Sequence, residues 1–175
     1  YDDVLEICEM IAKMDDDESI FHHLFNICEA IKNDVNRLSR NQMGEITRKL
    51  ETIARDCFPT ANGIQHKGYE INSLAYIYRI KKGVKDADWQ DLASRARSLP
   101  NSADQALVVC VIAESMPEKL RKSSSQLFKE AEIITEKIPS IIDRAQHYES
   151  LARRSTTKDP TFSKQMLQLA MKTTM

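Results

Sequence analysis

The amino-acid sequence predicts an all-α fold of stacked antiparallel helical hairpins, an α-solenoid of about nine helices. Apolar residues recur at intervals of three and four along most of the chain, the spacing that places side chains on one face of a helix. The 175 residues include only 4 glycines and 5 prolines, too few turn-forming residues for the many short strands of a β-sandwich or barrel. Alanines also recur every 35 to 39 residues, an interval typical of repeated helical hairpins.

Composition predicts one ordinary globular domain. Apolar residues make up 42% and charged residues 29%, which is not the composition of a disordered chain. The longest fully apolar runs span a few residues, far short of the roughly 20 needed to cross a bilayer. We therefore expect a single α-helical repeat domain over residues 1–175, with N-terminal helices at 1–60 and repeat-like hairpins at 66–175. Because a helical pattern starts almost at Tyr1, the chain is interpreted as a fragment of a larger protein.

The four cysteines predict a reducing compartment rather than a metal or redox site. None belongs to a C-x-x-C motif, and each falls among apolar positions of a predicted helix: Cys8, Cys28, Cys57 and Cys110. Small buried hydrophobes of this kind are typical of cytoplasmic proteins. With no signal-peptide pattern at the start, we expect a cytoplasmic protein without membrane association and without a cofactor.

Three helices and a loop are predicted in the first third of the chain. Apolar stripes predict helices over 2–14 and Ile20–Leu38. Asn41 is a plausible N-cap for a third helix, which runs to Phe58. Pro59–Gly63 then predicts a loop, because proline cannot continue a helix and Asn-Gly accepts positive φ.

Six further helices are predicted after this loop, bounded by Pro, Gly, Asp or Ser. They cover Tyr69–Lys82, a segment from Asp86 or Asp88 to Leu99, Ser102–Met116, Ser123–Ile138, Ile142–Thr156 and Thr161–Thr174. Lys119–Ser125 is predicted to be extended, with Ser123–Ser125 as a helix cap or, alternatively, a phosphorylation site. The helix from Ser102 to Met116 is apolar nearly all round, so we expect it in the middle of the stack.

Alanines predict where these helices approach one another closely. Three of them mark the first helices of successive hairpins and three mark the second helices: Ala75, Ala113 and Ala152, then Ala96, Ala131 and Ala170. An alanine lets two helices approach while its larger neighbours fill the groove between them. The predicted contact surface of each hairpin is therefore centred on a small residue.

The last hairpin resembles a degenerate tetratricopeptide-type repeat. The resemblance rests on Arg144–Ala152, the turn Lys158–Pro160 and Met166–Ala170, in which an alanine-bearing first helix, an Asp-Pro turn and a leucine-alanine second helix follow one another. It implies a helical-repeat scaffold of the kind found in bacterial regulatory proteins, including the sensor arms of signal-transducing NTPases. The typical Trp and Gly-Tyr are not matched, and the spacing exceeds the usual length of about 34 residues. HEAT-like or unclassified hairpins therefore remain alternatives.

Aromatic and basic residues mark one candidate binding region near the predicted loop. His66 and Tyr69 could form a small binding lip, although a histidine beside a loop is also typical of plain exposure. Tyr69, Tyr76 and Arg79 belong to a run of tyrosines and bases that could stack nucleic-acid bases and hold phosphates. Against this, Tyr76 and Tyr78 cannot share one helix face.

A second basic cluster lies near the C-terminus of a predicted helix. It consists of Arg153, Arg154 and Lys158. Cations at this end of a helix are favoured by the helix dipole alone. We keep Arg153 and Arg154 as candidate binding residues beside that simpler interpretation.

No motif in the sequence predicts catalysis. The chain contains no G-x-x-x-x-G-K-[ST], no G-x-G-x-x-G and no G-x-S-x-G. Glu18 and His22 have the i, i+4 spacing that can hold a metal, but no third ligand accompanies them, so an exposed helix terminus is the better interpretation. We predict no enzymatic activity, no catalytic residue and no metal site, and keep a helical-bundle enzyme as an alternative.

The predicted function is binding of a protein or peptide in a groove formed by the first helices of the hairpins. A nucleic-acid-associated domain is the alternative, although a net charge of −1 gives no global attraction to nucleic acid. Residues 1–18 carry eight acidic residues and one lysine, whereas residues 141–175 carry six basic and three acidic ones. This asymmetry could favour self-association between the acidic and basic ends.

Overall fold

The computed structural model describes residues 2–34, 37–58, 64–100 and 102–174, and only the backbone of residues 64–66. Within these ranges the chain forms nine α-helices and no strand, so the predicted all-α fold is confirmed. The helices are α1 (Asp2–Ile11), α2 (Asp17–Asp34), α3 (Arg40–Cys57), α4 (Ile64–Ile80), α5 (Asp86–Arg97), α6 (Ser102–Ser115), α7 (Arg121–Glu136), α8 (Ile141–Ser155) and α9 (Pro160–Thr173). None of the described helices is both long enough and apolar enough to cross a membrane. The predicted loop Pro59–Gly63 lies outside the described residues.

The chain divides into two compact units, Tyr1–Lys85 and Asp86–Met175. The first unit contains α1–α4 and the second contains α5–α9. The division falls between α4 and α5, although the alanine spacing in the sequence predicts that these two helices form one hairpin. The extent of the repeat-like region, 66–175, therefore stays a prediction.

The first unit is organised around α4, which packs against both α2 and α3, while α1 packs mainly against α3. Its core consists of apolar side chains that are almost completely buried, among them Leu24, Cys28, Ile46, Leu50, Leu74 and Ile77. α4 begins at Ile64, earlier than the predicted start at Tyr69. The predicted loop position of His66 is therefore wrong: its backbone is helical, because Gly68 does not interrupt the helix.

Two helix starts in this unit depend on side-chain caps. Asp16 caps α2, because the Ser19 N–H donates to Asp16 Oδ2 at 2.9 Å, and hydrogen bonds from Ser19 lower the pKa of this carboxyl group. Ser39 caps α3 through a reciprocal pair of hydrogen bonds with Gln42, at 3.2 and 2.9 Å. This capping box starts α3 at Arg40, so the predicted cap at Asn41 is wrong.

In the second unit, α6 is the central helix, as predicted. It packs against α5, α7 and α8, and most of its residues are buried. The most extensive contacts join α6 to α7 and α8 to α9, and α8 also packs against α7. The unit is therefore a pair of antiparallel hairpins, α6–α7 and α8–α9, with α5 packed on the first of them.

The start of α7 differs from the prediction. A 3-10 turn at Glu118–Leu120 leads directly into α7 at Arg121. The extended segment predicted from the sequence over Lys119–Ser125 is therefore wrong. The predicted cap at Ser123–Ser125 is wrong for the same reason, because these serines lie inside the helix. Ser124 is fully buried and uses its hydroxyl for a contact with α6.

All six alanines chosen from the sequence are buried, with at most 4% of their surface exposed. In the second unit, Ala96 lies on α5, and one alanine lies on each of the four helices that form the two hairpins: Ala113, Ala131, Ala152 and Ala170. Their burial supports the prediction that these helices meet through small side chains.

Candidate protein-binding surface

The hairpins α6–α7 and α8–α9 contain the same interhelical hydrogen bond. Ser124 Oγ donates to the Ala113 carbonyl oxygen at 2.7 Å, and Ser163 Oγ donates to the Ala152 carbonyl oxygen at 2.8 Å. In both hairpins the serine follows its alanine by 11 residues, and the two pairs stand 39 residues apart. Both serines are buried. The alanine spacing seen in the sequence thus corresponds to two hairpins with the same register.

The first helices of the hairpins, α6 and α8, lie side by side and are joined by two polar contacts. His147 Nε2 lies 3.1 Å from the Ala103 carbonyl oxygen. The Arg154 guanidinium forms an ion pair with Glu114, and both side chains are largely shielded from water. An ion pair that is partly buried is screened less by salt than one at the surface. Both contacts therefore help to hold α6 and α8 in register.

A third contact joins the turn after α8 to the end of α6. Lys158 Nζ donates to the carbonyl oxygen of Ala113 at 2.9 Å and also to that of Met116. Carbonyl groups in the last turn of a helix lack partners within the helix, and a cation there also meets the negative end of the helix dipole. Lys158 thus holds the second hairpin against the first through hydrogen bonds. It is a packing residue and not an exposed member of a basic cluster.

We define the α6–α8 face as Leu107, Ser150, Arg153 and Arg154. Leu107 and Ser150 border a packed gap without room for a water molecule, whose other lining residues are Ala106, Cys110, Thr135, His147 and Leu151. Leu107 and Ser150 are half-buried, and Arg153 is exposed. This face therefore combines a shallow, partly apolar surface with an exposed guanidinium group.

The two arginines predicted from sequence have different environments. Arg154 is half-buried and paired with Glu114, whereas Arg153 extends into solvent. Both influence the thiol of Cys110: burial raises its pKa to about 12, and the positive charges of Arg154 and Arg153 act in the opposite direction. The charge of Arg153 thus acts on Cys110 of α6, although the Arg153 side chain itself is exposed.

The predicted residues of the first unit form a cluster of aromatic contacts between α2 and α4. Tyr69 stacks on Phe21 with ring centroids 5.0 Å apart, and Tyr76 meets Phe25 edge-on at 4.9 Å. The Arg79 guanidinium lies 5.3 Å from the centre of the Tyr76 ring. The structure therefore brings together Tyr69, Tyr76 and Arg79, while the side chain of His66 lies outside the described residues.

The burial of the aromatic rings and the ion pairs of the basic residues favour a packing role for this cluster over nucleic-acid binding. Tyr76 is 3% exposed, so its ring has no open face on which a base could stack. Arg79 forms an ion pair with Glu29, and Lys81 Nζ lies 2.6 Å from Glu51 Oε1. These groups hold α4 against α2 and α3, which is a packing role.

The Glu18–His22 pair has the geometry of a surface contact. The carboxylate and imidazole are 3.7 Å apart, and both side chains are more than half exposed. Among the residues that the structure describes, no three His, Cys, Asp or Glu side chains form a group that could hold a metal ion.

A cleft between α1 and α3 was not predicted from the sequence. Its volume is about 460 Å³, and its lining includes Cys8, Ala12 and Ile53. Lys49 Nζ and Glu9 Oε1 form an ion pair at its rim, 3.1 Å apart. This cleft could not be predicted from the sequence, because the paired residues stand 40 positions apart and no local pattern connects them.

The cysteines differ in accessibility, which leads to a labelling prediction. Burial raises the pKa of the Cys28 and Cys110 thiols to about 12, so almost no reactive thiolate is present at neutral pH. Burial also raises the pKa of Cys57, but this side chain is only half-buried. We expect iodoacetamide to modify Cys57 first in the folded protein, measured by peptide mass spectrometry over time. Equal rates of modification at Cys57 and Cys110 in the folded protein would contradict the burial of Cys110.

No protein-family model, curated protein or solved structure matches this chain.

Proposed function

We propose that this protein is a non-catalytic helical-repeat module that binds a protein or peptide segment at its α6–α8 face. The observation that carries the proposal is that the two hairpins are equivalent. The same serine–alanine hydrogen bond joins α7 to α6 in one hairpin and α9 to α8 in the other. Tetratricopeptide-like and related helical hairpins present their first helices in this way, as adjacent rods whose exposed sides form one continuous surface.

The chemistry of the face favours a peptide with an acidic group beside an apolar side chain. Arg153 is exposed at one end of the face, and a guanidinium group binds a carboxylate through two parallel hydrogen bonds. Leu107 offers partly exposed apolar surface on the neighbouring helix. Arg154 and Lys158 already serve the packing of α8 against α6, so the proposal assigns the contact with the partner to Arg153.

The first experiment identifies what touches the face. A photo-crosslinking amino acid is placed at Ser150, a half-buried position of the α6–α8 face, and in a matched protein at Lys129, an exposed position on α7. The proposal expects a protein segment to crosslink from position 150 and not from position 129. Crosslinks of equal yield from both positions would contradict it.

The second experiment measures the role of Arg153 in affinity. We expect Arg153→Glu to weaken binding of a synthetic peptide from the crosslinked segment by about tenfold or more, because an attractive ion pair becomes a repulsive one. Isothermal titration calorimetry gives the dissociation constant. The control is Lys129→Glu, which makes the same charge change on α7 and is expected to leave the affinity unchanged.

Two results would replace this proposal with the alternatives. Binding of RNA or DNA whose affinity falls steeply as salt rises would indicate a nucleic-acid-associated domain. Turnover of ester, phosphate or nucleotide substrates by the purified chain would indicate an enzyme.

A further inference from the structure

The last helix exposes an apolar pair flanked by lysines. Leu167 is 49% exposed and Met171 is 61% exposed, one helical turn apart on α9. Lys164 lies on the same side of the helix as this pair, and Lys172 follows Met171 in the sequence; both lysines are exposed. We call Lys164, Leu167, Met171 and Lys172 the α9 face.

The equivalent positions of the preceding hairpin show what this face accepts. Phe128 and Glu132 of α7 stand where Leu167 and Met171 stand on α9, in the register set by the two serine–alanine hydrogen bonds. Both contact the following hairpin. Phe128 is fully buried, with its ring centroid 5.8 Å from that of Phe162, and Glu132 accepts a hydrogen bond from Gln165 at 3.3 Å. In the first hairpin, this side of the second helix therefore packs against another helix, which contributes a large apolar residue and a hydrogen-bond donor.

The first helix of the chain offers a surface of matching character. Ile7 is 41% exposed and Met10 is 63% exposed on α1, and the exposed Asp3 and Glu6 lie on the same side of the helix. We call these four residues the α1 face. It carries two apolar side chains beside two carboxylates, whereas the α9 face carries two apolar side chains beside two ammonium groups.

We propose that the α9 face of one copy binds the α1 face of a second copy of this chain. Ile7 and Met10 would cover Leu167 and Met171, and the lysines of one copy would meet the carboxylates of the other. A contact between two different faces is heterologous, so copies join head to tail and each added copy leaves one face of each kind open until a ring closes. The mean mass of the assembly therefore rises with concentration, and salt weakens the association because it includes charged pairs.

Matched substitutions of Met10 and Met171, one on each face, test this arrangement. Met10→Glu blocks the α1 face and Met171→Glu blocks the α9 face, because each would bury a carboxylate in the contact. We expect each change to weaken self-association at least about tenfold. Circular dichroism checks that both variants keep their helix content, and sedimentation velocity over a concentration series gives the masses.

Mixing the two variants distinguishes head-to-tail contact from every symmetric one. Wild-type chains are expected to grow in mass with concentration, and each variant alone is expected to sediment as a single chain. An equimolar mixture is expected to form a complex of two chains and nothing larger, because one variant retains only the α9 face and the other only the α1 face. Wild-type protein that stays a single chain, a variant that self-associates alone, or a mixture that stays monomeric would each overturn the proposal.

Charge reversal provides a second readout that leaves the apolar residues intact. Lys164→Glu and Glu6→Lys are each expected to weaken self-association several-fold. Combining the two changes in one chain is expected to restore it, because the reversed α9 face of one copy then meets the reversed α1 face of the next. A double variant that associates no more strongly than either single variant would overturn the pairing of these two faces.

Discussion

Replacing Phe128 with alanine is expected to lower the free energy of unfolding of the second unit by about 3–5 kcal/mol, among the largest effects of any single substitution in this chain. Phe128 is fully buried on α7 and its ring packs on that of Phe162 in α9. Truncation removes buried apolar surface and leaves a cavity that rigid helices cannot close. Because this aromatic pair links one hairpin to the next, the loss would reduce the stability of both.

Urea unfolding measures this change through the fluorescence of Trp89, the only tryptophan of the chain, which is buried in α5 of the same unit. The matched control is Leu167→Ala, at the equivalent position of the second hairpin, where the side chain is half exposed. We expect this control to cost less than about 1 kcal/mol. Similar losses for the two variants would mean that the following hairpin does not cover Phe128.

Helix type and order could be predicted from the sequence because they depend on local periodicity. The all-round apolar pattern of Ser102–Met116 correctly predicts that α6 is the central helix of its unit. The alanine positions also proved to be buried. The first prediction uses residues that lie close together in sequence, which is where amphipathic spacing acts. The second uses a repeat of 35 to 39 residues, which recurs because the same hairpin is built more than once.

Predictions at helix ends were less accurate because they depend on competition between polar groups. Ser39 caps α3 in place of Asn41, because Gln42 stands at the position from which it can return a second hydrogen bond. Ser124 could have served as a cap, but its hydroxyl reaches the Ala113 carbonyl oxygen on α6 instead. The first case follows from the S-x-x-Q pattern in the sequence, whereas the second requires knowledge of which helix lies opposite.

The candidate site could be predicted only in part, for the same reason. Arg153 and Arg154 look equivalent in the sequence, but only Arg154 reaches Glu114, which is 40 residues away. Tyr76 and Arg79 look like an exposed aromatic and basic patch until Phe25 and Glu29 of α2 are placed against them. Long-range pairing decides whether such a side chain packs within the fold or stays exposed, and a single sequence does not contain that information.

Replacing Ala113 with leucine is the second prediction with a large expected effect. The side chain of Ala113 is fully buried where α6 meets its neighbours, and its carbonyl oxygen accepts hydrogen bonds from both Ser124 and Lys158. A leucine there has no space unless α6 and α7 move apart, and that movement would lengthen the hydrogen bond from Ser124. We expect a loss of about 1–3 kcal/mol from overpacking, with roughly a further 1 kcal/mol for each hydrogen bond that is broken.

The measurement again uses urea unfolding, with Ala87→Leu as the control. Ala87 lies in α5 of the same unit and is exposed, so the same side-chain enlargement is expected to change stability by less than about 0.5 kcal/mol. Ala152→Leu tests whether the second hairpin is built in the same way, because its carbonyl oxygen accepts a hydrogen bond from Ser163. Comparable losses at positions 113 and 152 would support one packing rule for both hairpins. A leucine tolerated at both positions would mean that the alanines are not where the helices approach most closely.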